Sequence, residues 1–218
     1  MKSTIFKTLL LITLAFFSFL MLKITLPYLA FEDHVAFLRI KQWIIHNEIW
    51  KMAFYIHVLS SCFVLLAGFT QFSRYILRNY KTLHRWAGRF YVIVVLLLSG
   101  PGGFIMALYA NGGIPSRIAF LLLSVLWMWF TWQAYSTARN GNFTAHRKFM
   151  IRSFALTLSA ITLRAWKYIL AISLHPHPMD LYMIVAWLGW VPNLLLAELF
   201  LRDQLHFNLW TSSNTLTK

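Results

Sequence analysis

The chain has 218 residues, 59% hydrophobic and only 12% charged, about half the charged fraction of an ordinary soluble domain. Its net charge of +14 lies in short loops between long apolar runs. That distribution argues against a nucleic-acid-binding face and for orientation in a bilayer, with anionic lipid headgroups as partners.

Six apolar runs, at 5–26, 50–72, 90–110, 117–138, 153–174 and 181–201, each approach the ~20 residues that a helix needs to cross a bilayer core. They predict an all-α fold, a polytopic membrane bundle of six transmembrane helices. The whole chain, 1–218, is then a single integral membrane domain. The first run follows Lys2 and Lys7 and resembles a signal peptide. The bulky Tyr28 stands two positions before Ala30, where a cleavage site needs a small residue, so a retained helix is expected. Pro27 bends the chain after this run. In the segment 27–50, Ala36, Phe37, Ile40, Trp43 and Ile44 recur at helical spacing, with Arg39, Lys41 and Gln42 elsewhere on the wheel. This predicts a short surface helix with an apolar face. The second run contains Cys62, the one cysteine, so neither an intrachain disulfide nor a thiolate metal site can form.

Charge sets the orientation. The loop between runs two and three carries Arg74, Arg78, Lys81, Arg85 and Arg89, and the loop between runs four and five carries Arg139, Arg147, Lys148 and Arg152. Lys2, Lys7 and Arg202 fall on the same side. Glu32, Asp33, Glu48 and Asp180 fall on the other, with Arg39, Lys41, Lys51 and Arg117 as its cations. The positive-inside rule then gives N-in and C-in. Spans two and three, and spans four and five, each form a hairpin whose second helix opens with His-Arg, at His84-Arg85 and His146-Arg147. This has the form of a degenerate two-helix repeat.

These stretches carry a resemblance. Gln71-Phe72 precedes a basic loop, His84 to Tyr91 reads His-Arg-x-x-Gly-Arg-x-Tyr, and His146 to Ser153 ends in Met-Ile-Arg-Ser, followed by Thr162-Leu163-Arg164. They resemble the hallmarks of a bacterial multi-pass membrane family catalogued as domain of unknown function 2306. The match covers roughly 55–170, and Lys148-Phe149 stands where that family usually has Trp. The resemblance implies a multi-pass protein of the bacterial cytoplasmic (inner) membrane and carries no established activity.

Two constellations carry candidate chemistry. The first is an inner cluster of His84, Arg85, Arg89, His146, Arg147 and Arg152, with Glu198 near the inner end of span six and Asp203 just beyond. In one reading Glu198 neutralises a buried Arg while the other cations meet lipid phosphates. In the other the cluster is a functional site, and two imidazoles at one depth on neighbouring helices can ligate a b-type haem iron. His57 is a further candidate ligand.

The second constellation lies deeper. Arg164 sits twelve residues past Arg152, about 18 Å along span five, with Lys167 on nearly the same face. Ser153, Thr157, Ala160 and Ala171 make the rest of that face small and polar, a face that normally points into a bundle. An intramembrane Arg marks a candidate site, whereas Lys167 has the option of snorkelling. At similar depth lie His57, the Gly100, Pro101, Gly102 and Gly103 stretch, and Pro192-Asn193. The glycine stretch reads either as a tight kinked crossing or as the wall of a cavity for a small anionic or quinone-like ligand.

His175 and His177 read as a simple loop, and Trp127, Trp129 and Trp132 as packing and lipid-facing bulk. No nucleotide-binding loop or zinc-hydrolase motif is present. Three functions stay open: a small membrane redox protein using b-type haem or quinone, a carrier of an anionic or amphipathic molecule, and a structural or sensory membrane protein.

Overall fold

The computed structural model describes residues 2–202, and within them every regular element is a helix. In chain order these include α1 (Lys2–Thr25), α2 (Glu48–Gln71), α3 (Arg74–Asn79), α4 (Lys81–Val94), α5 (Gly100–Leu108), α6 (Gly113–Arg139), α7 (Phe143–Thr157), α8 (Ser159–Leu174) and α9 (Pro178–Leu188). Residues 191–202 continue α9 after a turn at 189–190.

Five helical stretches are long and apolar enough to cross a membrane: Glu48–Gly68, Lys81–Leu108, Gly113–Arg139, Phe143–Leu174 and Pro178–Arg202. A shorter apolar stretch, Ala15–Ala30, belongs to the first run. The second and fourth of these begin well before their apolar runs, because the basic loop residues that lead into them are already helical. At 1.5 Å per residue, the 32 residues of Phe143–Leu174 span about 48 Å, so the polar first turns protrude beyond a ~30 Å hydrocarbon layer.

Local side chains set the starts. Asn47 caps α2 by accepting from Trp50 N at 3.0 Å, with Glu48 in the first turn. Ser73 caps α3 and Asn142 caps α7 in the same way. Gly141, at φ 74°, makes the turn between α6 and α7 that few other residues adopt without strain. The α6–α7 hairpin is the closest helix pair, and α2 packs along both α4 and α5.

Two proline-containing stretches take distinct forms. Pro101 does not break span three: Val95–Ser99 forms one π-helical turn and the chain continues directly into α5. A proline lacks the N–H for its own helical bond, and a wider turn lets the helix pass it. In span six the interruption falls at 189–190, just ahead of Pro192.

The 36–44 segment corrects the helical-wheel expectation. It is a 3-10 helix over Ala36–Lys41. Three residues per turn put Leu38 and Lys41 on one face, and these two are buried, while Ala36, Ile40 and Trp43 are exposed. Leu38 joins Tyr28, Ile45, Trp50, Phe54 and Tyr55 in an aromatic-rich cluster. The main core runs through the bundle centre and includes Val64, Leu65, Tyr91, Val95, Trp127, Phe154, Leu156 and Trp190.

Candidate functional site

At the basic end, α4 presents His84 and α7 presents His146. His146 Nδ1 lies 2.8 Å from Ala134 O. A carbonyl only accepts, so Nδ1 carries a proton, and Nε2 is the nitrogen that holds the lone pair whenever the ring is uncharged. His84 Nδ1 is buried and has no hydrogen-bond partner among the described residues. The two imidazoles lie within electrostatic reach of one another. Beside them, Gln71 Nε2 donates to His84 O at 3.3 Å, and a Cβ on Gly88 would stand 2.9 Å from Gln71 Oε1. Gly88 therefore makes room for the Gln71 side chain beneath His84.

The inner cations divide. Arg152 forms a fork with Glu198, Nε to Oε1 at 2.5 Å and Nη2 to Oε2 at 2.8 Å. Its guanidinium also lies 5.5 Å from the Phe149 ring and 5.9 Å from that of Phe130. Planar bidentate pairing of this kind is the strong form of an ion pair. Arg85, Arg89 and Arg147 are exposed, with Arg89 5.6 Å from the Trp86 ring. Arg85 lies within electrostatic reach of His84. Asp203 lies outside the described residues.

Between the histidines and the centre of the bundle lies a polar network not foreseen as a unit. Tyr91 Oη stands 2.8 Å from Ser153 Oγ and 2.7 Å from Thr157 Oγ1. Trp127 Nε1 donates to Thr157 Oγ1 at 3.0 Å, and Thr131 Oγ1 meets both Trp127 O and Ser153 Oγ at 2.7 Å. The network ties α4, α6 and α7 together, and Tyr91, Thr131 and Ser153 are fully buried. Tyr91 ends the first His-Arg motif and Ser153 the second, so the two motifs meet tip to tip. Their spacing from the histidines was the available signal.

Deeper still, His57 Nδ1 lies 2.7 Å from Ser99 O at the junction of the π turn and α5. The same tautomer argument places a proton on Nδ1 and a lone pair on Nε2. The glycine stretch lies hard against its neighbours. A Cβ on Gly102 would stand 2.8 Å from Ala53 O, one on Gly103 3.0 Å from the His57 ring, and one on Gly100 2.5 Å from Met128 Cγ. Gly100, Gly102 and Gly103 thus form a close helix crossing that brings His57 to Ser99. Arg164 donates from Nη1 to Ala160 O at 2.6 Å and lies within electrostatic reach of His57, Tyr28 and Cys62. Lys167 turns elsewhere, its ammonium 5.3 Å from the Tyr182 ring. Asn193 joins α8 to span six by donating to Thr162 Oγ1 at 3.0 Å. Cys62 is buried, 3.1 Å from Thr25 Oγ1. His175 and His177 are exposed, and no group of three or more metal-ligating side chains occurs among the described residues.

Sequence reasoning missed Lys41. It is 2% exposed, donates to Tyr109 O and to Asn111 Oδ1 (2.7 Å for the latter), and lies 5.4 Å from the Trp43 ring. Burial, aided by the nearby charge of Arg117, lowers its pKa from 10.5 to about 8.

A family model described as a predicted membrane protein (DUF2306) matches residues 54–201. No curated protein and no solved structure matches the chain.

Proposed function

The chain belongs to that family of predicted membrane proteins, and on this premise we propose that it is a small multi-pass redox protein of the bacterial cytoplasmic membrane, holding a b-type haem between His84 and His146. The reading takes Lys2–Thr25 as a sixth span, with both termini on the side of the basic loops. Reporter fusions at residues 80 and 142 should read cytoplasmic and those at 40, 113 and 178 external. An external reading at 142 would overturn the orientation.

The observation that carries the haem reading is the buried Nδ1 of His84, without a partner among the described residues and within electrostatic reach of His146. A buried ring nitrogen without a partner is costly, and a metal would relieve that cost. The donor set fits. The Ala134 carbonyl fixes the His146 tautomer with Nε2 available, the backbone support that ligating histidines commonly have. Arg85 and Arg147, each next to a histidine in sequence, are the cations at hand for propionate carboxylates. Bound haem would supply one-electron transfer. The protein's part is to hold two imidazoles at one depth beneath a basic rim.

The test is a visible spectrum of the purified protein, oxidised and then dithionite-reduced. An α-band should appear on reduction, vanish in His84→Ala and in His146→Ala, and survive in His175→Ala. Colourless protein from haem-replete cells, or a band indifferent to both substitutions, sinks the proposal.

A further inference from the structure

We propose that Arg164 binds an oxyanion, a carboxylate or a phosphate, carried on a membrane amphiphile that enters from the lipid. This is independent of the haem reading and concerns the half of the bundle remote from the basic loops.

Arg164 lies ten residues before the end of α8 at Leu174, about 15 Å along the axis. Snorkelling to the nearer surface would require the side chain to run toward Leu174. It runs the other way: Nη1 bonds Ala160 O, one turn nearer the middle of the span. Helical side chains lean toward the helix N-terminus, so this direction is built into the backbone.

Among the described residues the charge has no counterpart there. A guanidinium keeps its proton and offers five N–H donors, of which the Ala160 contact uses one. No described carboxylate lies within ion-pair distance: Asp33 pairs with Lys51 at 2.6 Å, and Glu198 with Arg152. The neighbours within electrostatic reach are Tyr28, Cys62, Tyr168 and His57, none of them a carboxylate. His57 spends its Nδ1 proton on Ser99 O and brings no negative charge. The missing partner is an anion from outside the chain, and a carboxylate or phosphate matches the planar fork.

Exposed surface lies on the neighbouring turns of the same helix. Tyr168 and Ile172 follow Arg164 at i+4 and i+8 and are 66% and 71% exposed. The Tyr168 ring and the Ile172 side chain offer surface against which an acyl chain can lie while its headgroup reaches Arg164. An amphiphile suits this route better than a free aqueous anion.

The test uses the full chain in a neutral detergent. Oleate, phosphatidylglycerol and, as controls without an anionic oxygen, methyl oleate and diacylglycerol are titrated while thermal unfolding is followed. Oleate or phosphatidylglycerol should raise the Tm, and the controls should not. A response to oleate alone assigns a carboxylate, and a response to phosphatidylglycerol alone a lipid phosphate. Arg164→Gln should abolish the shift, Arg164→Lys should weaken binding about tenfold for want of the fork, and Lys167→Gln should leave it unchanged. Equal response to the controls, no response to either anion, or a shift retained in Arg164→Gln overturns the proposal. Where Arg164→Gln does not fold, Arg164→Lys decides, and unchanged affinity overturns it.

Discussion

Alanine at Tyr91 should destabilise the bundle by about 3 kcal/mol, the low end of the range for an aromatic lost from a core. The low end applies because burial from lipid gains nothing from water transfer, and the loss is one of packing and hydrogen bonds. Tyr91 is fully buried in the main core, and its hydroxyl reaches Ser153 and Thr157 on α7. Phenylalanine keeps the ring and should cost about 1 kcal/mol, near the value of a hydrogen bond between membrane helices. Thr157→Val removes the acceptor of the Trp127 N–H as well as a Tyr91 partner, and should cost at least as much as Tyr91→Phe. Unfolding in mixed micelles by added dodecyl sulfate gives the three values on one scale. Equal losses for Tyr91→Phe and Tyr91→Ala would mean that the ring packs loosely and that the hydroxyl network alone holds the hairpins together.

The network also shows what a sequence exposes and what it hides. The small polar face of span five was legible, since Ser153, Thr157 and Ala160 fall at helical spacing, and that face does turn inward. That Glu198 meets an inner Arg was legible too, because few acids lie near the basic end. Which Arg it meets was not, since Arg85, Arg89 and Arg152 differ only in the azimuth of their helices. The early starts of α4 and α7 were hidden by their charge: polar first turns look like loop to a hydropathy window but are helical all the same. Depth along the chain placed His57, Arg164 and the glycines at one level. It could not say that Gly102 and Gly103 sit flush against α2 and Gly100 against Met128 of α6, since that depends on the crossing distances of the helices. The 36–44 segment failed for a definite reason. A wheel drawn at 3.6 residues per turn puts Lys41 outside, and a 3-10 helix rotates it under Leu38 into the core.

That rotation has a measurable consequence in pH. Lys41 is buried with its ammonium donating to Tyr109 O and Asn111 Oδ1, close to the like charge of Arg117. Its folded pKa is lowered from 10.5 to about 8, chiefly by loss of hydration. Between these values the unfolded chain holds a proton that the folded chain has released, so stability rises with pH across the window. Below about pH 8 the full cost of a buried charge is present, and above about 10.5 it is gone. At 1.36 kcal/mol per unit, the rise is about 3 kcal/mol. Tyrosines titrate in the same range, so the diagnostic quantity is the difference between the native chain and Lys41→Met. Methionine keeps the length and apolar bulk of the side chain without the charge. The native chain should gain stability relative to the variant from pH 8 to 10.5, and the two should run parallel below pH 7. A constant difference across the whole range would mean that Lys41 titrates normally and that its burial is relieved by water reaching the Tyr109–Asn111 loop.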